Sequence, residues 1–318
     1  MRIGMSLTTS YSIRRDPKEL MVGLIEQVEL MAELGFDSIS LGDHHVTRDH
    51  YFQVLPTMSR LSAHAGDMQL LPLFLLPFYN PILLAEQLGT LDIISGGRTV
   101  VISGLGHQPE AHVAFETPQR LRVSRFVETF EIMKALWTQD DVSYHGKHYS
   151  FDGVSINPKP LQPLPMWIGA SADPAIRRTA QLADAWAISP GWPPDLIAEK
   201  LGVYRKALEE YGRTDQVDEV VLRRDVHLAE SLEEAREEAK PLFEHGYRGF
   251  GSKELQESLI VGGPEECIGY LEGMQRLGVT HVLFRCALDE RNMAMQTIRV
   301  LGAEVIPHLR QTSSTKRS

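Results

Sequence analysis

Short apolar stretches alternate with longer segments of helical periodicity along almost the whole chain, and this alternation limits the fold more than any other feature. Arg2–Leu7 predicts a strand, and Lys18–Leu34 predicts a helix that ends before Gly35. Met68–Leu76 is apolar throughout, as expected of a parallel strand that is buried on both faces. A chain that alternates strands with helices in this way is predicted to form a parallel sheet.

The number of strand–helix units favours a closed barrel over an open sheet. The predicted strands are Arg2–Leu7, Asp37–Leu41, Met68–Leu76, Thr99–Ser103, Met166–Gly169, Ala185–Ser189, Val220–Leu228 and His281–Arg285. An open dinucleotide-binding sheet usually has a glycine-rich turn after its first strand, whereas Leu7-Thr8-Thr9-Ser10 follows here. We therefore predict an α/β fold, a single (β/α)8 TIM barrel over residues 1–311, with a flexible tail over residues 312–318.

Two segments fall outside the repeating pattern. Tyr144–Phe151, with His145-Gly146-Lys147 at its turn, predicts a surface hairpin. The segment from about His245 to Gly262, after the seventh strand, contains glycines and has weak periodicity. It is interpreted either as a lid over the active site or as an ordered excursion on the surface.

Charge and composition exclude several classes of protein. The net charge of −10 and the isoelectric point of about 5.7 disfavour nucleic acid as a partner, because phosphate backbones require a basic face. The most apolar stretch, Leu70–Phe78, is far shorter than the ~20 residues of a membrane helix. No secretion signal is apparent at the N-terminus, and Cys267 and Cys286 are predicted to be inert thiols, so a cytoplasmic enzyme is expected.

Polar residues follow several of the predicted strands at their carboxyl ends, which is where (β/α)8 enzymes place their active sites. These segments are Asp43-His44-His45, Ser103-Gly104-Leu105-Gly106-His107, Gly169-Ala170-Ser171, Ser189-Pro190-Gly191-Trp192 and Arg285. Their convergence on one face of a barrel is a stronger indication of a site than any one of them.

The stretch LGDHHVTRDHY, Leu41–Tyr51, admits three interpretations. A zinc site needs three or four converging ligands, and no further histidine or acidic pair is found at another strand end. A polar loop is the second interpretation. The third, which we favour, makes His44 a general acid or base with Asp43 as its orienting partner, because neutral imidazole exchanges protons near pH 7. Asp49 and His50 are expected to be solvated loop or lid residues.

Two further features are compatible with phosphate binding, and one residue complicates the second. Arg122 and Arg125 share one helix face, although a solvated surface pair has the same pattern. Ser171 precedes a helix with Pro174 near its start, and free N–H groups at such an end suit an anion. Asp173, if it were the N-cap, would occupy those donors.

The order and spacing of the motifs resemble those of the bacterial luciferase-like monooxygenase superfamily. The segments that carry the resemblance are FDSISLGDHH, LPFYNPILLAEQLGTLDIISGGR, VVISGLG, RVSRFVETFEIMKALWT, VSYHGKHYSF, PKPLQPLPMWIGAS, AQLADAWA and VGGPEECIGYLEGMQRLGVTHVLFR. The resemblance implies a barrel that binds a flavin-type ring over its mouth. The cofactor would be reduced FMN, used with O₂, or coenzyme F420, used for hydride transfer.

The resemblance also assigns roles to individual residues. His44 matches the catalytic histidine, while Arg125 and Ser171 match positions that hold the cofactor phosphate. Ser103 and Gly104 fall where the chain meets the ring, and Ala170 stands beside the phosphate-binding serine. Leu73 and Phe74 resemble the site of a non-proline cis peptide behind the ring.

The function predicted on this basis is a monooxygenase that uses reduced FMN and O₂ on a small apolar substrate. A flavin reductase is expected to supply the cofactor, and a homodimer is expected from the resemblance. The main alternative is an F420-dependent reductase or dehydrogenase, although Lys253 and Arg285 do not form a clear basic cluster for its anionic tail. A non-catalytic flavin-binding protein and a metal hydrolase are further alternatives. Asp43-His44-His45 lies between the patterns of FMN and F420 users, so it leaves the cofactor open.

Overall fold

Eight parallel strands close a barrel in this computed structural model, which describes residues 1–215, 219–247 and 258–315, with side chains to residue 311. The barrel strands are β1 (Arg2–Leu7), β2 (Ser38–Leu41), β3 (Gln69–Leu75), β4 (Val101–Gly104), β5 (Met166–Ala170), β6 (Ala185–Ile188), β7 (Glu219–Leu228) and β8 (His281–Cys286). Neighbours along the chain pair in parallel, and β8 pairs with β1 to close the ring. The predicted (β/α)8 barrel is confirmed.

Helices surround the barrel, and the first of them lies where Lys18–Leu34 predicts a helix. They are α1 (Pro17–Glu33), α2 (Val54–Ser62), α3 (Pro81–Ser95), α4 (Pro109–Ala114), α5 (Arg122–Thr138), α6 (Asp173–Leu182), α7 (Pro194–Glu210), α8 (Leu232–His245), α9 (Pro264–Leu277), α10 (Arg291–Val300) and α11 (Ile306–Thr315). A π-helical turn, Leu301–Val305, joins α10 to α11. No helix in the described part of the chain has the length and apolar character needed to cross a membrane.

The alternation of side chains along each strand separates two cores, and this separation decides which residues reach the site. Inward-facing side chains, including Ile102, Trp167 and Leu283, fill the barrel. Outward-facing side chains, including Phe74 and Ala170, belong to the larger core between the strands and the helices. Because successive residues of a strand point to opposite faces, the residue before or after an outward one faces the barrel interior.

A ninth parallel strand, Leu259–Gly262, was not predicted. It pairs with the carboxyl-terminal half of β7, from Asp225 opposite Leu259 to Leu228 opposite Gly262. Residues 248–257, which include Lys253, lie outside the described residues, so the interpretation of the segment as a lid stays a prediction.

Two short antiparallel ladders lie outside the barrel. The predicted surface hairpin is present, with Val142–His145 paired to Ser150–Val154. The second ladder joins Ser10–Tyr11, after β1, to His50–Tyr51, after β2. His50 is therefore part of a strand and not of a solvated loop. It was expected in a loop because a two-residue ladder is too short to give a periodic signal.

Candidate active site

A cavity of about 270 Å³ opens at the carboxyl ends of the barrel strands. Its lining is Ser6, Leu7, Thr9, Ser40, Gly42, Asp43, Tyr51, Leu73, Ile102, Gly169, Ala187, Ile188, Ser189, Pro190, Val221, Arg223, Leu283 and Arg285. A concave site of this size at this end of a barrel is where ligands are expected to bind. We take it as the candidate active site.

Asp43 is buried just after β2, and its carboxylate contacts groups other than His44. Oδ2 accepts hydrogen bonds from the Leu75 backbone N–H at 2.9 Å and from the Tyr79 hydroxyl at 3.0 Å. Oδ1 lies 3.1 Å from Nε2 of His45. The expectation that Asp43 orients His44 is therefore corrected: Asp43 joins the end of β2 to the loop after β3 and holds the neighbouring histidine.

His44 is not itself among the lining residues, but it borders the cavity at its rim through Tyr51, a lining residue whose ring centroid is 5.3 Å from that of His44. The side-chain amide of Gln108 donates to His44 Nε2 over 3.0 Å, so Nε2 is the unprotonated nitrogen of the neutral ring. Burial lowers the pKa of His44 below its usual 6.5, the positive fields of His107 and His45 lower it further, and Asp43 partly offsets them. The imidazole is thus neutral and able to accept a proton at neutral pH.

His45 is held among aromatic rings beside the mouth. Besides Asp43, its Nε2 contacts the Tyr79 hydroxyl at 3.2 Å, and its ring centroid is 4.9 Å from Phe115 and 5.8 Å from Phe78. Burial and the Asp43 carboxylate raise the pKa of Tyr79, so this hydroxyl stays protonated as a donor. His45 therefore packs among aromatic rings that do not line the cavity, whereas His44 packs against the ring of a lining residue.

Of the residues predicted to contact the ring from β3 and β4, only some face the mouth. Leu73 lines the cavity, whereas Phe74 is buried behind the barrel wall with its ring 5.3 Å from Tyr79. Ser103 is also buried, and its hydroxyl donates to the Trp167 carbonyl at 2.8 Å. The alternation of the strands explains this division, because Leu73 and Ile102 face inward and their neighbours do not.

The predicted cis peptide is corrected as well. Within the described residues the cis bond precedes Pro158, so the bonds around Leu73 and Phe74 are trans. Leu73 and Phe74 pair in register with Ile102 and Ser103, and this regular ladder continues through the position where the resemblance implied an irregular one.

The end of β5 leads into α6, whose start has no side-chain cap, although Ala175 and Ile176 N–H both donate to the Ala172 carbonyl and Pro174 has no N–H. Ala170 is buried and its carbonyl accepts from the Trp186 indole at 3.0 Å, whereas Ser171 is exposed. The N-cap of α6 is Ala172, which makes no side-chain cap, and Asp173 instead pairs with Lys200 at 2.9 Å. The first N–H groups of α6 are thus not occupied by a carboxylate cap, contrary to the N-cap role expected for Asp173.

Arg125, on α5, lies beside the loop that follows β3. Its Nε is 3.4 Å from the Pro77 carbonyl, and its NH2 donates to the Tyr149 hydroxyl at 3.1 Å. Neither the role of Arg125 nor that of Ser171 in binding a phosphate is tested by these contacts, and both stay predictions.

The inward face of β7 carries charged residues that were not predicted to line the site. Arg223 lines the cavity and lies 3.5 Å from Asp225, and Arg285 reaches it from the adjacent strand β8. The signal was present in VVLRRDVHL, because Val221, Arg223 and Asp225 share one face of a strand. Gln108, Tyr51 and Tyr79 were not identified as partners of the histidines, since loops from different strands bring them there.

No group of three or more histidine, cysteine, aspartate or glutamate side chains in the described ranges is arranged to hold a metal ion. The two cysteines are free and buried. Burial raises the pKa of Cys286 to about 12, with further contributions from Asp225 and Asp289, so its thiol stays protonated.

The luciferase-like monooxygenase family profile matches residues 1–281. The chain belongs to this family. Its members are oxidoreductases that work with a flavin or with coenzyme F420, and the resemblance seen in the motifs is confirmed.

The proteins to which this chain is similar include dehydrogenases and a monooxygenase. An F420-dependent glucose-6-phosphate dehydrogenase from Microbacterium testaceum is 28% identical over 313 residues, covering 89% of this chain and 91% of that protein. A monooxygenase from Streptomyces bottropensis shares the fold with a TM-score of 0.87 at 21% identity, over 97% of this chain and 100% of that one. An F420-dependent secondary alcohol dehydrogenase has a TM-score of 0.80 at 17% identity, over 96% and 98%.

Proposed function

We propose that the protein is an F420-dependent dehydrogenase that oxidises a small hydroxylated molecule bearing an anionic group. The observation that carries the proposal is the charged wall of the cavity, formed by Arg223 and Arg285. The proposal replaces our expectation of an FMN monooxygenase with an apolar substrate. It is also supported by similarity over nearly the full length to F420-dependent glucose-6-phosphate dehydrogenases, such as the one from Microbacterium testaceum.

The charges at the cavity favour an anion. Two guanidinium groups line it, and the one carboxylate in its lining, Asp43, is directed towards Leu75, Tyr79 and His45. Arg285 is only 9% exposed and donates to the Thr8 hydroxyl at 3.3 Å, which leaves most of its donors free of this contact. Arg223 is already paired with the buried Asp225 carboxylate at 3.5 Å, whereas the Thr8 hydroxyl that Arg285 contacts is neutral. The guanidinium of Arg285 therefore has the donors that suit a substrate phosphate or carboxylate.

The mouth also fits a planar cofactor with a phosphate. Gly42 and Gly169 line the cavity, and Gly104 ends β4, so three strand ends present backbone where a side chain would project. Ser171 and the uncapped N-terminus of α6 would hold the phosphate from one side, and Arg125 would hold it from another. These residues fit the planar ring and the phosphate of F420 and of FMN equally well.

Coenzyme F420, when bound, supplies a two-electron acceptor for the hydride that leaves the substrate carbon. His44 would take the hydroxyl proton of the substrate on Nε2, with the substrate hydroxyl replacing the hydrogen bond that Gln108 donates to this nitrogen. The lowered pKa keeps Nε2 unprotonated at neutral pH. Arg223 and Arg285 bind the anionic group and so fix the distance between the hydroxyl and His44.

Cofactor titration tests this proposal. The purified protein is titrated with F420 and, separately, with FMN, each in oxidised and reduced form, and binding is followed by fluorescence. We expect F420 to bind at least about tenfold more tightly than FMN, a difference of roughly 1.4 kcal/mol. Preferential binding of reduced FMN would contradict the proposal and support the monooxygenase.

A further inference from the structure

The surface hairpin has a structural connection to the cofactor end of the site. Its turn carries Gly146, and Tyr149 follows just before the second strand, Ser150–Val154. Both face α5, the helix that carries Arg125 and Glu128. The contacts between these groups determine what the Arg125 guanidinium can bind.

Glu128 is buried and accepts three backbone hydrogen bonds from the hairpin. Oε1 accepts from Lys147 N–H at 2.8 Å, and Oε2 accepts from His148 and Tyr149 N–H at 2.8 and 3.2 Å. A carboxylate that accepts this many N–H groups is strongly held in place. A second contact, between Ser124 Oγ and His148 Nε2 at 2.7 Å, also joins the hairpin to α5.

Gly146 permits this close approach. A Cβ atom at position 146 would lie 2.5 Å from Glu128 Oε2 and 2.5 Å from the Tyr144 ring. Any larger residue would therefore push the hairpin turn away from α5. The glycine in HGKHY is explained by this contact.

The engagement of Glu128 has a consequence for Arg125. The two residues are three apart on one helix, a spacing at which an acid and a base usually pair. Here the hairpin N–H groups occupy the acid, and in the described ranges Arg125 contacts only neutral groups. Its charge is consequently not neutralised within this part of the protein.

Tyr149 holds Arg125 without neutralising it. The phenol oxygen accepts from Arg125 NH2 at 3.1 Å, the ring lies 5.3 Å from the guanidinium carbon, and the hydroxyl donates to the Tyr79 carbonyl at 3.3 Å. A phenol supplies both an acceptor and a π face to a cation. The guanidinium is thus fixed in direction and keeps its full charge for an external anion.

We infer that the hairpin is a positioning device for a cofactor phosphate, in which Glu128 anchors the turn and Tyr149 is the positioning residue for Arg125. This inference rests on the proposed function only in assuming a phosphate-bearing cofactor, and it holds for F420 and for FMN. Tyr149 itself is not a catalytic residue, since it acts through Arg125.

The test is the binding of cofactors with and without a phosphate to Tyr149→Phe. The probes are F420 and its phosphate-free deazariboflavin precursor, and FMN and riboflavin. We expect Tyr149→Phe to weaken binding of the phosphate-bearing member of the bound pair by about tenfold, as for the loss of one hydrogen bond to a charged group. Binding of the phosphate-free member should stay within about twofold, a change worth roughly 0.4 kcal/mol.

A matched control comes from the same hairpin. The Tyr144 hydroxyl donates to Glu131 at 2.9 Å, so Tyr144→Phe removes a phenol oxygen from the hairpin without touching Arg125. This variant should bind all four probes like the wild type. A double variant, Arg125→Gln with Tyr149→Phe, should bind no more weakly than Arg125→Gln alone, because the hydroxyl acts only through the guanidinium.

Three results would overturn the inference. Equal weakening of phosphate-bearing and phosphate-free probes by Tyr149→Phe would indicate a general structural role, and unchanged binding would indicate none. If the wild type bound neither F420 nor FMN, there would be no cofactor phosphate for Arg125 to bind, and the inference would be wrong. A preference of the wild type for FMN over F420 would refute the proposed function alone, since the FMN and riboflavin pair would still test the hairpin.

Discussion

Replacing His44 with alanine is expected to lower kcat by about 10²–10⁴-fold, the usual contribution of a general base. The reason is that His44 is at the rim of the cavity, is neutral, and presents an unprotonated Nε2 that Gln108 now occupies. Steady-state rates of F420 reduction measure the effect. His50→Gln is the matched control from the same stretch of chain, because His50 Nε2 contacts the Arg15 carbonyl and no cavity residue.

The pH profile separates the proton-accepting role from a structural one. Protonated His44 cannot act as a base, so kcat/KM should be flat above pH 6.5 and fall as the pH drops through the lowered pKa of His44. The fall should be absent from the residual activity of His44→Ala. A kcat of His44→Ala within a few-fold of the wild-type value would exclude His44 as the base. An apparent pKa above 7 for the acid limb of the wild-type profile would exclude it as well.

Replacing Asp43 with alanine is expected to lower the free energy of unfolding by about 2–4 kcal/mol, because two donors lose their acceptor and each unsatisfied buried donor costs about 1–3 kcal/mol. The Leu75 N–H and the Tyr79 O–H would each lose their carboxylate acceptor, and His45 would lose its partner. Denaturant unfolding in urea, compared at equal m-values, measures the change.

Asp43→Asn distinguishes positioning from direct action on His44. The asparagine carbonyl still accepts from Leu75 and Tyr79, so the loss of stability should be only about 1–2 kcal/mol. Because Asp43 contacts His45 and not His44, kcat should fall far less than in His44→Ala. A loss of kcat in Asp43→Asn as large as that in His44→Ala, at near-normal stability, would show that the carboxylate acts on the base after all.

The barrel was predictable because its pattern is local. Apolar runs such as Met68–Leu76 and the helical period of Lys18–Leu34 reflect burial. The pattern of apolar and polar residues along a short stretch of sequence is enough to recognise it. The same local rule would have found the charged wall, since Val221, Arg223 and Asp225 are two residues apart in β7 and so share one face. The rule assigns a face to each residue, and it also explains why Phe74, Ser103 and Ala170 point away from the mouth.

The contacts within the site were not predictable, because they depend on loop conformation. Val46 adopts a φ of 54°, a left-handed conformation that β-branched residues rarely take, and it turns the chain directly after His45. Nothing in LGDHHVTRDHY indicates that turn, so the sequence does not show which histidine Asp43 reaches. Gln108 and Tyr149 meet their partners only because separate loops converge above the barrel.

Anaerobic turnover is the decisive test of F420-dependent dehydrogenase activity. The purified protein is mixed with oxidised F420 and a panel of small hydroxylated phosphates and carboxylates, with O₂ excluded, and the loss of the visible absorbance of the oxidised deazaflavin is followed. We predict stoichiometric reduction of F420 by at least one anionic member of the panel, with no need for O₂, and a KM raised at least about tenfold by Arg285→Gln, the loss of one charged contact. Absence of F420 reduction, together with O₂-dependent consumption of reduced FMN and oxygenation of an apolar substrate, would contradict the account.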